Sequence, residues 1–212
     1  MKEKLFRITN SKGYDYFILI ARFVLALNFI NYGYAKLIDG GQFGVSAQEL
    51  ATPLKDLSTF RVMWYLFDHE PIKSVVGILQ IVCGLLLIYN RTVILGVLMF
   101  IPIALNIWLM DISFMNESMA KGFTTRFGFY FILCFLILFH YKERVKQMWI
   151  SATKGVSTKF KFPIWMYLIL PILAFFLELS SAVPGVIYYL ITQPKEMIQA
   201  MKHLWETLMK VF

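Results

Sequence analysis

"ARFVLALNFINYGYAKLIDGGQF", residues 21–43, decides how this chain is read. Its first half is an apolar run of the kind that crosses hydrocarbon, but its second half carries Asn28, Asn31, Tyr32, Lys36 and Asp39 and then a Gly-Gly. A helix turns about 100° per residue, so Asn28, Asn31, Tyr32 and Ala35 share one sector, with Lys36 at its edge. An asparagine facing lipid leaves donors and acceptors unpaired at a cost of several kcal/mol. The narrow polar face must therefore point at other helices.

The rest of the chain agrees with a membrane setting. Of its 212 residues, 58% are hydrophobic, against roughly 45–50% in soluble domains, and the mean hydropathy is +0.63. Apolar stretches near 16–38, 72–90, 92–110, 123–141 and 163–191 approach or exceed the ~20 residues that cross hydrocarbon. The expected fold is all-α, a polytopic membrane helix bundle with five spans. The first span holds Arg22 and two asparagines and lacks a small-residue cleavage site, so it reads as retained rather than as a signal peptide.

Basic residues set the expected orientation. Lys2, Lys4, Arg7 and Lys12, then Arg91, then the segment from Lys142 to Lys161 fall on one side of a five-span protein. That side reads as cytoplasmic, which puts the C-terminus outside. The net charge of +8 then reflects topology and attraction to anionic membrane lipids. Nucleic acid is excluded as a partner, since no basic face with stacking aromatics lies outside the spans.

Three connecting segments carry signals. In 39–71, Ser46 with Glu49 forms a capping-box pattern, and Leu50, Leu54, Leu57 and Arg61 recur at helical spacing. This predicts one amphipathic helix over the outer mouth, with Trp64, Tyr65 and Phe67 at the headgroup level. The tight "YNRT" of 89–92 makes spans two and three antiparallel neighbours, and 142–162 reads as a basic cytoplasmic linker. Pro171 and Pro184 kink or break the last span. Beyond it, Met197, Met201, Leu204, Leu208 and Val211 predict an amphipathic tail helix at the membrane surface.

The other spans supply polar groups that answer the first. Gln80 stands in span two, Asn106 and Asp111 in span three, Arg126 at the start of span four and Glu178 in span five. At ~1.5 Å per residue these lie in the outer half of the bilayer, with Leu, Ile and Phe filling the inner half. A polar cavity open outward, or lying under the amphipathic loop, is expected rather than a channel polar throughout. Each residue also has a plainer reading: amides between membrane helices act as glue at ~0.6 kcal/mol per bond, and Lys36, Asp111 and Arg126 serve as snorkelling interface charges. Glu178 is the hardest to place, because an acid at mid-membrane costs about 2.5–3.5 kcal/mol; Arg126 or Lys36 would supply its cation, and a proton held on the carboxyl is the alternative. His140 reads as interfacial. Cys83 and Cys134, inside apolar sequence, read as small hydrophobes. No metal, haem, flavin or nucleotide motif occurs, so no intrinsic cofactor and no catalytic residue is expected.

The opening span, with Arg22 at its start and Gly33-x-x-Lys36 at its exit, resembles the beginning of DoxX-family membrane proteins. The run "GILQIVCGLLLIYNRTVILG", 77–96, is similar to that family's second motif through Gly77, Gln80, Gly84, Arg91 and Thr92. "RVMWYLFDHEP" (61–71) and "PIALNIWLMDI" (102–112) extend the likeness over roughly 16–140. Gln80 stands where many members carry an acid, and the fifth span exceeds the usual pattern. The resemblance implies a four-helix core over 1–141 in a bacterial inner membrane, followed by 163–212 as a fifth span and tail. It also implies families tied to quinone-linked oxidation and to redox complexes with soluble partners. The expected function is a non-catalytic membrane subunit or scaffold that binds a quinone or lipid at Asn28, Asn31, Tyr32, Lys36, Gln80, Asn106, Asp111, Arg126 and Glu178. Membrane lipids and a protein partner or a second copy of the chain complete its expected surroundings. A quinone-linked oxidoreductase subunit and an oligomeric pore or membrane effector are the alternatives.

Overall fold

A computed structural model describes residues 11–38, 41–196, 198, 199, 202 and 205. Every element among them is helical. The chain divides into two compact units, Met1–Lys154 and Gly155–Phe212. In the first unit the long helices are α1 (Lys12–Leu37), α4 (Ile72–Ile88), α5 (Val93–Phe114) and α6 (Glu117–His140). Between α1 and α4 come α2 (Ala47–Leu50), a 3-10 turn (Leu54–Asp56) and α3 (Thr59–Phe67). After α6 comes α7 (Lys142–Thr153), and the second unit holds α8 (Ile164–Ser180) and α9 (Val183–Thr192).

α1 packs against α4 and α6, α4 against α5, and α5 against α6, which closes a four-helix bundle. The α1–α4 seam is made by residues without side chains. A Cβ on Gly33 would lie 2.5 Å from the Gly77 carbonyl oxygen, and one on Gly84 would lie 2.5 Å from Ile30 Cγ1 and 2.8 Å from the Ala26 carbonyl oxygen. Small residues let backbones approach where lipid gives helices no hydrophobic reason to associate. Gly96 repeats the device between α5 and α4, where a Cβ would meet the Leu87 nitrogen at 2.8 Å.

Where α4 ends, Arg22 of α1 closes it off. Its Nε donates to the Leu87 carbonyl at 2.9 Å and an Nη to the Ile88 carbonyl at 2.7 Å. These belong to the last turn of α4, whose carbonyls have no intrahelical donor and carry the negative end of the helix dipole. Leu25, Leu87, Val97, Phe100, Leu133 and Ile137 fill the bundle around this level, with Cys83 and Cys134 among them. At the same end His140 Nε2 lies 3.2 Å from Asp15 Oδ1 and joins α6 to α1. Outward-facing positions are apolar, including Leu27, Leu85, Leu95, Ile132 and Phe135, an inversion that water does not support over so large an area.

Among the described residues, four helices are long and apolar enough to cross a membrane: α1, α5, α6 and the run Ile164–Thr192, with a fifth crossing if α3 and α4, bent by 83°, form one span. α4 alone rises about 26 Å at 1.5 Å per residue, short of the ~30 Å of hydrocarbon. Two sequence expectations change. The single amphipathic helix through Leu50, Leu54, Leu57 and Arg61 is instead α2, the 3-10 turn and α3, because Pro53 offers no N–H and pushes its predecessor out of helical geometry. The 142–162 linker is largely α7, and the first compact unit ends at Lys154; it is followed by Gly155, whose φ of +78° suits the left-handed residue that commonly ends a helix. Pro171 sits inside α8, and the break falls between Ser180 and Val183, just before Pro184. Met197, Met201, Leu204, Leu208 and Val211, on which the tail helix was to rest, lie outside the described residues.

Replacing Gly84 by Val should cost about 1–3 kcal/mol through overpacking, read as a lower unfolding midpoint of the purified protein. Gly128→Ala, in a helix with nothing within 4 Å of the new Cβ, should leave it unchanged or raise it.

Candidate functional site

At the end of the bundle away from Arg22, the four helices surround a cavity of about 410 Å³. Each brings polar side chains to it: Asn31, Tyr32 and Lys36 from α1, Gln80 from α4, Asp111 from α5 and Arg126 from α6. Its inner wall is aromatic. Phe29, Phe127 and Tyr130 line it, and Phe29 stacks on Phe100 of the core at 3.9 Å between ring centres.

The charges are unevenly satisfied. Lys36, 5% exposed, donates to Gln42 Oε1 at 2.7 Å and to the Tyr32 carbonyl at 3.5 Å, and its amine stands over the Phe43 ring at 5.3 Å. Asp111, 6% exposed, lines the same cavity and, with Lys36, a neighbouring one of about 70 Å³. Arg126 donates from Nη1 to the Tyr32 hydroxyl at 2.6 Å, a neutral acceptor. Gln80 is 1% exposed, and its Oε1 has no hydrogen-bond partner. A buried amide oxygen left unpaired costs about 1–3 kcal/mol, and Gln80 is one of the residues that line the cavity.

Of the three remaining sequence candidates, two are placed elsewhere in the first unit. Asn28 turns back on its own helix, donating from Nδ2 to the Val24 carbonyl at 2.7 Å, so its amide needs no neighbour and does not line the cavity. Asn106 lines only the smaller cavity. Glu178 belongs to α8 of the second unit, where it is exposed.

The sequence reading placed the segment between α1 and α4 over the outer mouth but missed the residues that it contributes to this roof. Gln42, Phe60 and Trp64 line the cavity from the segment between α1 and α4. Trp64, expected at the headgroup level, instead packs against Phe60 at 4.6 Å and Phe43 at 5.9 Å. The roof is clasped by Arg61, which donates from Nη2 to Glu49 Oε2 at 2.8 Å and to the Gly44 carbonyl at 2.9 Å. Ser46 and Glu49 complete the expected capping box. The Tyr130 ring was within reach of inference, since it lies one turn beyond Arg126 on the same face. Gln42 left no periodic trace, because it follows the helix end.

The Arg61 guanidinium, and then the Ser46 hydrogen bonds, hold the Glu49 carboxyl at about 2 instead of 4.5. A depressed carboxyl favours the clasped form above its ordinary value and loses that contribution as pH falls. Amide protection across 44–61, the intrinsic exchange rate at each pH relative to the observed rate, should therefore be high and constant above about pH 4.5 and fall toward pH 2. Arg61→Ala should give the low protection at every pH.

No family model matches the chain, and no solved structure matches it. It is similar to a Bacillus subtilis (strain 168) protein described as "Uncharacterized protein YwoB", with 34% identity over 139 residues, a stretch that makes up 65% of this chain and 84% of that protein.

Proposed function

The chain belongs to the same family as YwoB, and we propose that it is a non-catalytic integral membrane protein that holds a lipophilic molecule, a quinone or a lipid, by its polar end in the α1–α4–α5–α6 cavity. The observation that carries this reading is the Gln80 oxygen, unpaired and buried beside the cavity. A buried acceptor without a donor is paid for by an occupant that brings one, such as a hydroxyl. The aromatic inner wall suits the apolar part of the same molecule, and a volume of about 410 Å³ falls within the range of small-molecule sites.

The resemblance of 16–140 to DoxX proteins supports a four-helix core in a bacterial inner membrane and puts quinone among the candidates. Basic residues at the Arg22 end, including Lys142, Arg144 and Lys146 of α7, favour a cytoplasmic position for that end. In this orientation the cavity opens toward the outer face, Ile164–Thr192 makes a further crossing, and a partner protein or second copy docks on the roof segment.

Gln80→Leu tests this reading, because leucine is similar in size and removes the orphan acceptor. The variant should retain about tenfold less copurifying lipid or quinone by native mass spectrometry, the equivalent of ~1.4 kcal/mol, while its delipidated form melts no lower than wild type. Equal retention by both proteins would reject the reading.

A further inference from the structure

We propose that the occupant carries an anionic head, a carboxylate or a phosphate, which Arg126 receives; this rests on the proposed function and specifies its ligand. Two arginines stand within membrane-length helices of the first unit, and their surroundings differ. Arg22 is buried, and its guanidinium is spent on the Leu87 and Ile88 carbonyls at the end of α4. It holds the bundle together. Arg126 is exposed and lines the cavity, and among the described residues its one hydrogen bond is to the uncharged Tyr32 hydroxyl. No carboxylate among the described residues of the first unit lies within ion-pair distance of it: Asp15 is with His140, Glu49 with Arg61, Asp68 with Lys73 and Glu117 with Lys121.

The charged residues that line the cavity are Lys36, Asp111 and Arg126. Lys36 and Asp111 offset each other, which leaves one positive charge over, on Arg126. An unpaired arginine in the membrane is costly, and a planar guanidinium matches the two oxygens of a carboxylate or phosphate. The Tyr32 hydroxyl accepts from Arg126 and keeps its own proton to donate, so the pair offers an anion converging donors on one side of the cavity. The aromatic wall formed by Phe29, Phe127 and Tyr130 takes the adjoining methylenes. A cavity of about 410 Å³ accommodates one such head and the start of a single chain. A hydroxyl near the anion, as in a glycerol phosphate head, would reach Gln80 as well.

The full chain in neutral nonionic detergent should be titrated with radiolabelled palmitate, hexadecyl phosphate and hexadecanol, which share a chain and differ in head. Palmitate, hexadecyl phosphate or both should bind at least tenfold tighter than hexadecanol, and the tighter of the two identifies a fatty-acid or a phospholipid source. Arg126→Gln should erase that preference and Arg126→Lys should restore part of it, a pattern that a folding defect does not produce. Hexadecanol binding as tightly as both anions overturns the inference but leaves the proposed function standing. If none of the three binds and no lipid is retained on purification, both fall.

Discussion

The close approach of α1 to α4 is the constraint on which the rest of the first unit depends. Two helices in lipid gain little from hydrophobic contact with each other, so their association rests on backbone proximity and on polar pairing. Gly33, Gly77 and Gly84 supply the proximity, and Arg22 supplies the pairing by donating to the last carbonyls of α4. Because the guanidinium and the glycines act on the same two helices, they fix register as well as distance. A shift of α4 by one residue along α1 would strand the Leu87 and Ile88 carbonyls and drive side chains into the space the glycines leave open.

A fixed register has consequences at the other end. Gln80 is on the same helix as Gly77 and Gly84 and packs near Gly33, so the seam that brings α1 close also carries the amide to its buried position. Below it the Phe29–Phe100 stack and the aliphatic core fill the bundle. Above it the helices bring their charges to one cavity. The asymmetry between an apolar end and a polar end follows from where the aliphatic core residues give way to Asn31, Lys36, Asp111 and Arg126.

Much of this could be read from residues alone. The polar sector of α1 at Asn31, Tyr32 and Lys36, together with Gln80, Asp111 and Arg126 on three other apolar helices, placed six groups that line one cavity. Helical periodicity reports faces, and faces were enough. Asn28 shares the sector but not the role, since an amide able to bond the carbonyl four residues back leaves no mark in the sequence that separates it from one that cannot. The roof was the least legible part. Its capping box was visible in Ser46 and Glu49, but the inward turn of Trp64 depends on ring contacts between segments, which spacing does not encode. For Glu178, residence on α8 was readable and its surroundings were not.

The roof segment also answers a difficulty specific to membrane proteins. Irregular backbone close to hydrocarbon is tolerated only where protein or a water-filled cavity satisfies it, and the chain between α1 and α4 is irregular over much of its length. Its polar groups are met by side chains chosen for the purpose. Lys36 reaches Gln42, Arg61 takes the Gly44 carbonyl, and Ser46 and Glu49 cap α2. Lys36 and Arg61 are therefore engaged with the protein itself, as Arg22 is at the opposite end. Arg126 meets only a neutral hydroxyl among the described residues, so the fold's own bonding leaves most of its hydrogen-bond donors unengaged where it lines the cavity.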